Sequence, residues 1–161
     1  MFLIDTNIVL NSFTYYPRDV FVSYWTQCET HILGGQFFFH EEVEREILRK
    51  DDEKSRWFRD FVPASQILKP SDDEISSYRL VTIWLDRHRE DPYTESAIRD
   101  FLGVADSWLV ASANARGCEI VTNETSSPVK KTKVKLPDVA RGLNVRCISV
   151  LDFFREQNIR L

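Results

Sequence analysis

The chain has 161 residues, 43% of them hydrophobic and 12% aromatic, with 21 Lys and Arg against 25 Asp and Glu for a net charge of −4. Such a chain is long and apolar enough to bury one core unaided, which excludes a disordered or fibrous protein and points to a single domain over residues 1–161. No apolar run reaches bilayer length and no charged-then-apolar leader precedes a cleavage site, so a cytoplasmic protein without a membrane is expected.

The pattern then alternates between strand-like and helix-like segments. Phe2 to Ile4 reads as a short strand that ends at Asp5 and passes straight into a helix carrying Ile8, Val9, Leu10 and Phe13. Val20 to Cys28 has helical apolar spacing. Gly34-Gly35 breaks the chain before a second apolar strand, Gln36 to Phe39, and His40 to Lys50 is helical in composition, with Val43 and Ile47 on one face. Lys50 to Lys54 is charged and exposed, Trp57, Phe58 and Phe61 dock the following helix, and Pro63 and Pro70 bracket Ile67-Leu68. Ser71-Asp72-Asp73-Glu74 reads as a capping box for a helix through Tyr78, Val81 and Leu85. Asp91-Pro92-Tyr93 is a loop, Asp106 to Arg116 a helix closed by Gly117, and Leu151 to Gln157 a final helix. Glu119–Thr122 and Arg146–Ser149 are the last strands. This order predicts a three-layer α/β/α sandwich on a mostly parallel sheet.

Four acids carry the functional signal: Asp5, Glu46, Asp106 and Glu124. Asp5 and Glu124 follow strand-like runs, and Glu46 and Asp106 fall in the early turns of helix-like segments. In a parallel sheet these places converge beyond the carboxyl ends of the strands. Each acid alone has a plainer explanation. Asp5 and Asp106 suit helix N-caps, Glu46 could belong to a solvated face with Glu42 as its alternative, and Glu124 could be an ordinary loop acid. Together they argue for a hard cation, because two carboxylates about 4 Å apart repel by about 4 kcal/mol at an effective dielectric near 20. Magnesium or manganese suits an oxygen-only set of this kind.

Thr6, Asn7 and Thr122 are small polar neighbours of Asp5 and Glu124 that suit a turn admitting a ligand. Lys130, Lys131, Lys133 and Lys135 fall within six residues. Such a run is either a solvated loop or a grip on a phosphate backbone, and with the acids neutralised by metal the acidic balance does not exclude a phosphate-rich substrate. Cys28, Cys118 and Cys147 form no C-x-x-C pair and no zinc spacing with His31, His40 or His88, as expected of free thiols.

Phe2-Leu3-Ile4-Asp5-Thr6-Asn7, Val43-x-x-Glu46-Ile47, Ala105-Asp106-Ser107-Trp108-Leu109-Val110-Ala111 and Val121-Thr122-Asn123-Glu124 stand in an order that resembles the PIN-domain nuclease superfamily. Lys135-Leu136-Pro137-Asp138 followed by Arg146-Cys147-Ile148 looks like a little-characterised bacterial branch related to VapC-type toxins. The resemblance implies a magnesium- or manganese-dependent endoribonuclease that hydrolyses phosphodiester bonds in single-stranded RNA. It further implies a toxin of a toxin–antitoxin pair, with a cognate antitoxin as partner and a homodimer as the assembly. One departure is visible: the superfamily commonly has Asp where this chain has Glu124.

Asp5 and Asp106 are the expected direct ligands, with Glu46 and Glu124 acting through water or a second ion, and Thr6, Asn7, Thr122, Lys130, Lys131 and Lys133 the expected substrate contacts. A catalytically silent PIN-like module binding RNA or protein is the alternative. A phosphatase of the haloacid dehalogenase type would need a second acid two residues after Asp5, and Asn7 stands there.

Overall fold

A computed structural model describes residues 1–161. In chain order the elements are β1 (Phe2–Ile4), α1 (Thr6–Tyr15), α2 (Val22–Leu33), β2 (Phe37–His40), α3 (Glu41–Leu48), α4 (Glu53–Phe61) and β3 (Ile67–Leu68). There follow α5 (Asp72–Arg87), α6 (Glu95–Leu102), α7 (Ala105–Arg116), β4 (Glu119–Val121), α8 (Leu136–Gly142), β5 (Cys147–Ile148) and α9 (Val150–Glu156). The strands form one sheet in the order β3-β2-β1-β4-β5. Every adjacent pair is parallel, with Phe2 opposite both Phe37 and Glu119 and Val121 opposite Ile148.

Parallel pairing needs a crossover between strands, and the helices that supply it cover both faces. Side chains alternate along β2. Phe37 meets Phe153 of α9 with ring centroids 4.7 Å apart, and Phe39 meets Phe58 of α4 at 5.0 Å. His40 points to the other face, where its ring stacks on Trp108 of α7 at 5.7 Å and 11°. The expected three-layer sandwich is therefore present.

The connection from β1 runs outward to β2 and β3, whereas β4 and β5 extend the sheet on the other side. Strand order thus reverses between β1 and β4, and a crevice opens there at the carboxyl edge. Asp5 ends one of these strands and Thr122 ends the other.

Several boundaries differ from the expectation. The second helix starts at Val22 and runs on to Leu33, leaving Val20 and Phe21 outside it. Ser71 caps α5 by accepting from the Glu74 amide at 3.3 Å, but Glu74 does not complete a capping box, because its carboxylate turns inward. A full capping box forms instead at Asp52 and Ser55. Helices α6 and α8 were not anticipated at all. No helix is long and apolar enough to cross a membrane.

Candidate active site

Asp5 follows β1, and its amide continues the ladder to Val121 O at 3.1 Å. Its carboxylate caps α1, accepting from Asn7 N at 3.3 Å, and also accepts from Thr122 Oγ1 at 2.6 Å and from Asn7 Nδ2. Capping and a site role are thus combined in one side chain, and Asp5 is only 2% exposed.

Glu46 lies in the closing half of α3 rather than in an early turn. One carboxylate oxygen accepts from Thr6 Oγ1 at 2.6 Å and the other from Ala105 N at 3.0 Å. The latter amide belongs to the first turn of α7, where helix geometry leaves donors without an intrahelical partner. Glu42, the alternative second acid, pairs instead with Arg45 and lies outside the crevice.

A buried network fixes the start of α3. His40 Nδ1 caps the helix by accepting from Glu42 N at 3.1 Å, and His40 Nε2 lies 2.6 Å from Glu74 Oε1. Glu74 is also ion-paired with Arg116, which donates to Ser112 Oγ at 2.7 Å and Lys69 O at 3.2 Å. Burial alone would raise the Glu74 carboxyl, but His40 and Arg116 overcome it and hold the group below its ordinary value.

Asp106 is the second residue of α7 and not its cap, which is Val104. Its carboxyl is pushed up to about 8, first by burial and then by the charges of Asp5, Glu124 and Glu46, with Lys133 opposing. The Asp5 carboxyl is pushed up to about 6, again mainly by burial, against the hydrogen bonds from Thr122 and Asn7. The acids therefore feel one another, as a shared crevice requires.

Glu124 is held by cations. Lys135 Nζ donates to Oε1 at 2.7 Å, Lys133 Nζ stands 3.5 Å from the same oxygen, and Leu136 N donates to Oε2 at 2.9 Å. Its own amide donates to Thr122 Oγ1 at 3.0 Å.

Asp5, Thr6, Asn7, Glu46, Asp106, Glu124 and Lys133 line one cleft of about 420 Å³. Thr122 lies beneath it through its bond to Asp5, whereas Lys130 and Lys131 are exposed and do not line it. No three His, Cys, Asp or Glu side chains stand close enough to form a ready-made metal-ligating group. Within that cleft Glu46 and Glu124 are each held by partners of their own.

Helix α6 contributes Ala97, Asp100 and Phe101 to the wall. A signal for it exists in the sequence. Thr94 is an N-cap type, and Ala97, Ile98, Phe101 and Leu102 follow at helical spacing. All three cysteines are free, with Cys28 buried.

The fold is shared with a structure of FitAcB from Neisseria gonorrhoeae, at 13% identity and a TM-score of 0.55 over 92% of this chain and 96% of that one. A FitAB structure bound to an IR36 DNA fragment matches at 15% identity and a TM-score of 0.56 over 92% and 94%. A structure of VapBC2 from Rickettsia felis bound to a DNA fragment from their promoter matches at 14% and 0.57 over 92% and 97%. The parallel-sheet architecture of this chain is the fold of these three structures. No curated protein matches the sequence. A family profile described as "Domain of unknown function (DUF4411)" matches residues 2–161, and the chain belongs to that family.

Proposed function

We propose that this chain is a magnesium- or manganese-dependent endoribonuclease acting on single-stranded RNA. The observation that carries the proposal is the placement of Asp5 and Asp106 in one cleft, both with carboxyl groups raised by burial and by the acids around them. Carboxylates in that condition fit a hard divalent cation, which binds oxygen donors and removes the repulsion.

Asp5 and Asp106 would hold the ion directly. Bound there, it supplies a water of lowered pKa and positive charge against the phosphate. Thr122 and Asn7 hold the Asp5 carboxylate in the cleft wall through its Oδ2 oxygen. Glu46 is tied at both oxygens and restrains α1 and α7 relative to each other. Lys133 lines the cleft and would offset charge on a phosphate oxygen. Because the Asp106 carboxyl titrates near 8, binding a cation near neutral pH would expel its proton.

A toxin role, a cognate antitoxin and a homodimer belong to the same proposal, by resemblance to the superfamily and to the FitAB and VapBC2 structures. Incubation with end-labelled single-stranded RNA and manganese tests the activity. Cleavage that disappears in Asp106→Asn supports it, and cleavage that persists undiminished in that variant contradicts it. The alternative of a silent binding module draws on the pairing of Glu124 with Lys135, and RNA retained without cleavage would favour it.

A further inference from the structure

We infer that a second cavity, bordered like the acid cleft by the lysine-bearing segment, takes a nucleobase of the same strand. The inference rests on the nuclease reading for the strand and extends it with a site for a base. The cavity measures about 290 Å³ and lies between α5, α8 and the 126–135 segment, with Trp84, His88, Tyr93, Pro128 and Arg141 among its walls.

Its chemistry is that of base recognition. The rings of Trp84 and His88 stack on each other with centroids 3.9 Å apart and 23° between planes, and Gly142 lies against the indole, so the outer face of the His88 imidazole is the π surface this pair offers the cavity. Aromatic platforms of this type hold single-stranded bases by stacking. His88 Nδ1 stands 2.7 Å from the Trp84 carbonyl oxygen. Assigned as the donor there, Nδ1–H leaves Nε2 as an acceptor in the plane of the ring, open to a ribose hydroxyl or to the amine of a base beside the stacked one.

The platform has a fixed seat, since Trp84 rests on Gly142, where a Cβ would come within 2.0 Å of the indole nitrogen. Arg141 is held by Asp138 Oδ1 at 2.6 Å and Ser126 Oγ at 2.8 Å, yet its side chain stays 65% exposed. Its guanidinium is therefore presented in one orientation toward solvent, as a phosphate contact needs.

The route between the two cavities is short. Pro128 borders this one and Thr132 borders the acid cleft, so the connecting backbone spans about 14 Å at most. Lys130 and Lys131 lie on that connection, exposed and outside both cavities. A strand with one phosphate in the acid cleft would run its backbone along these lysines and deliver a nearby base to the outer face of His88, which Trp84 backs. The lysine run, only one member of which reaches the acid cleft, thereby gains a role.

The test uses the whole protein in chelator with single-stranded RNA of about eight nucleotides carrying 4-thiouridine, a length within the usual range of such sites. Ultraviolet crosslinks are mapped by peptide, and affinity is read by fluorescence anisotropy for the wild type, His88→Ala and Trp84→Leu, with melting curves to check folding. Crosslinks on the 84–93 peptide and roughly tenfold weaker binding by His88→Ala are expected. Equal crosslinking by DNA of the same sequence supports the site, because the base is what it takes. Crosslinks confined to the acid cleft, with His88→Ala unchanged, overturn the inference. If Trp84→Leu fails to fold, His88→Ala and the crosslinks decide. Cleavage is scored in a separate incubation with manganese, so absent cleavage there with intact crosslinks here overturns the nuclease reading alone.

Discussion

The backbone amide of Ala105 donates to Glu46 Oε1 at 3.0 Å, tying the acid of α3 to the first turn of α7 beside Asp106. Thr6 takes the other Glu46 oxygen at 2.6 Å, so one side chain joins three helices at the crevice. Glu46→Ala should therefore cost about 1–3 kcal/mol of stability, the usual result of leaving half-buried donors unpaired. Urea denaturation checks this. A loss below about 0.5 kcal/mol would show that the joint is dispensable.

The raised carboxyls set the pH dependence of the cation-free protein. Asp5 and Asp106 titrate near 6 and 8 when folded, against 3.8 as the ordinary value. Between those values the folded chain binds more protons than the unfolded one, so stability falls as pH rises from about 4 to about 8 and levels off above. Melting temperature measured in chelator across that range should decline. Magnesium or manganese should flatten the slope by neutralising the pair.

Removing one of the charges should help the empty site. In chelator at pH 8, Asp106→Asn is expected to stabilise the protein by about 2 kcal/mol, a figure reduced for the partial exposure of that side chain. The same variant should lose cleavage. A destabilised Asp106→Asn in chelator would mean that burial and repulsion do not penalise the charged carboxylate there.

The His40–Glu74–Arg116 network is a structural support whose loss is costly. Glu74→Ala leaves buried His40 and part-exposed Arg116 beside a vacated partner, and about 3 kcal/mol should be lost, the lower end for a broken buried pair. Because Glu74 is held below its ordinary value, its contribution is present above that value and disappears as pH falls through the depressed one. Denaturant titrations of the wild type and Glu74→Ala should accordingly converge in strong acid.

Lys135 anchors Glu124, and the anchor should matter more for substrate than for cation. Lys135→Met is expected to raise KM for RNA about tenfold by freeing the segment that carries Lys133. Its kcat should change little. A fall in kcat with constant KM would instead place Lys135 in the chemical step.

The strand–acid–helix units were legible because their signals are local. Apolar runs ending at Asp5 and before Glu124 mark the carboxyl edge directly, and the run of apolar and small residues after Asp106 marks a buried helix. Partner choice was not legible. Nothing near Glu124 in sequence announces that Lys135 and the Leu136 amide will occupy its oxygens, since both are brought back by a loop of about a dozen residues. Glu74 was misread for a related reason. Its position suits a capping box, but the buried His40 and Arg116 offer stronger charge-assisted partners, and tertiary pairing overrode the local motif. Helix α6 was overlooked although Thr94 and the apolar spacing after it were available, and with it Asp100 of the cleft wall.

Manganese affinity, followed by the loss of free-ion EPR signal on titration, tests the account at its root. Wild-type protein should bind, and Asp5→Asn and Asp106→Asn should each weaken binding at least about tenfold, as removal of a direct carboxylate ligand does. Equal affinity in all three proteins would mean that these two side chains do not hold the ion.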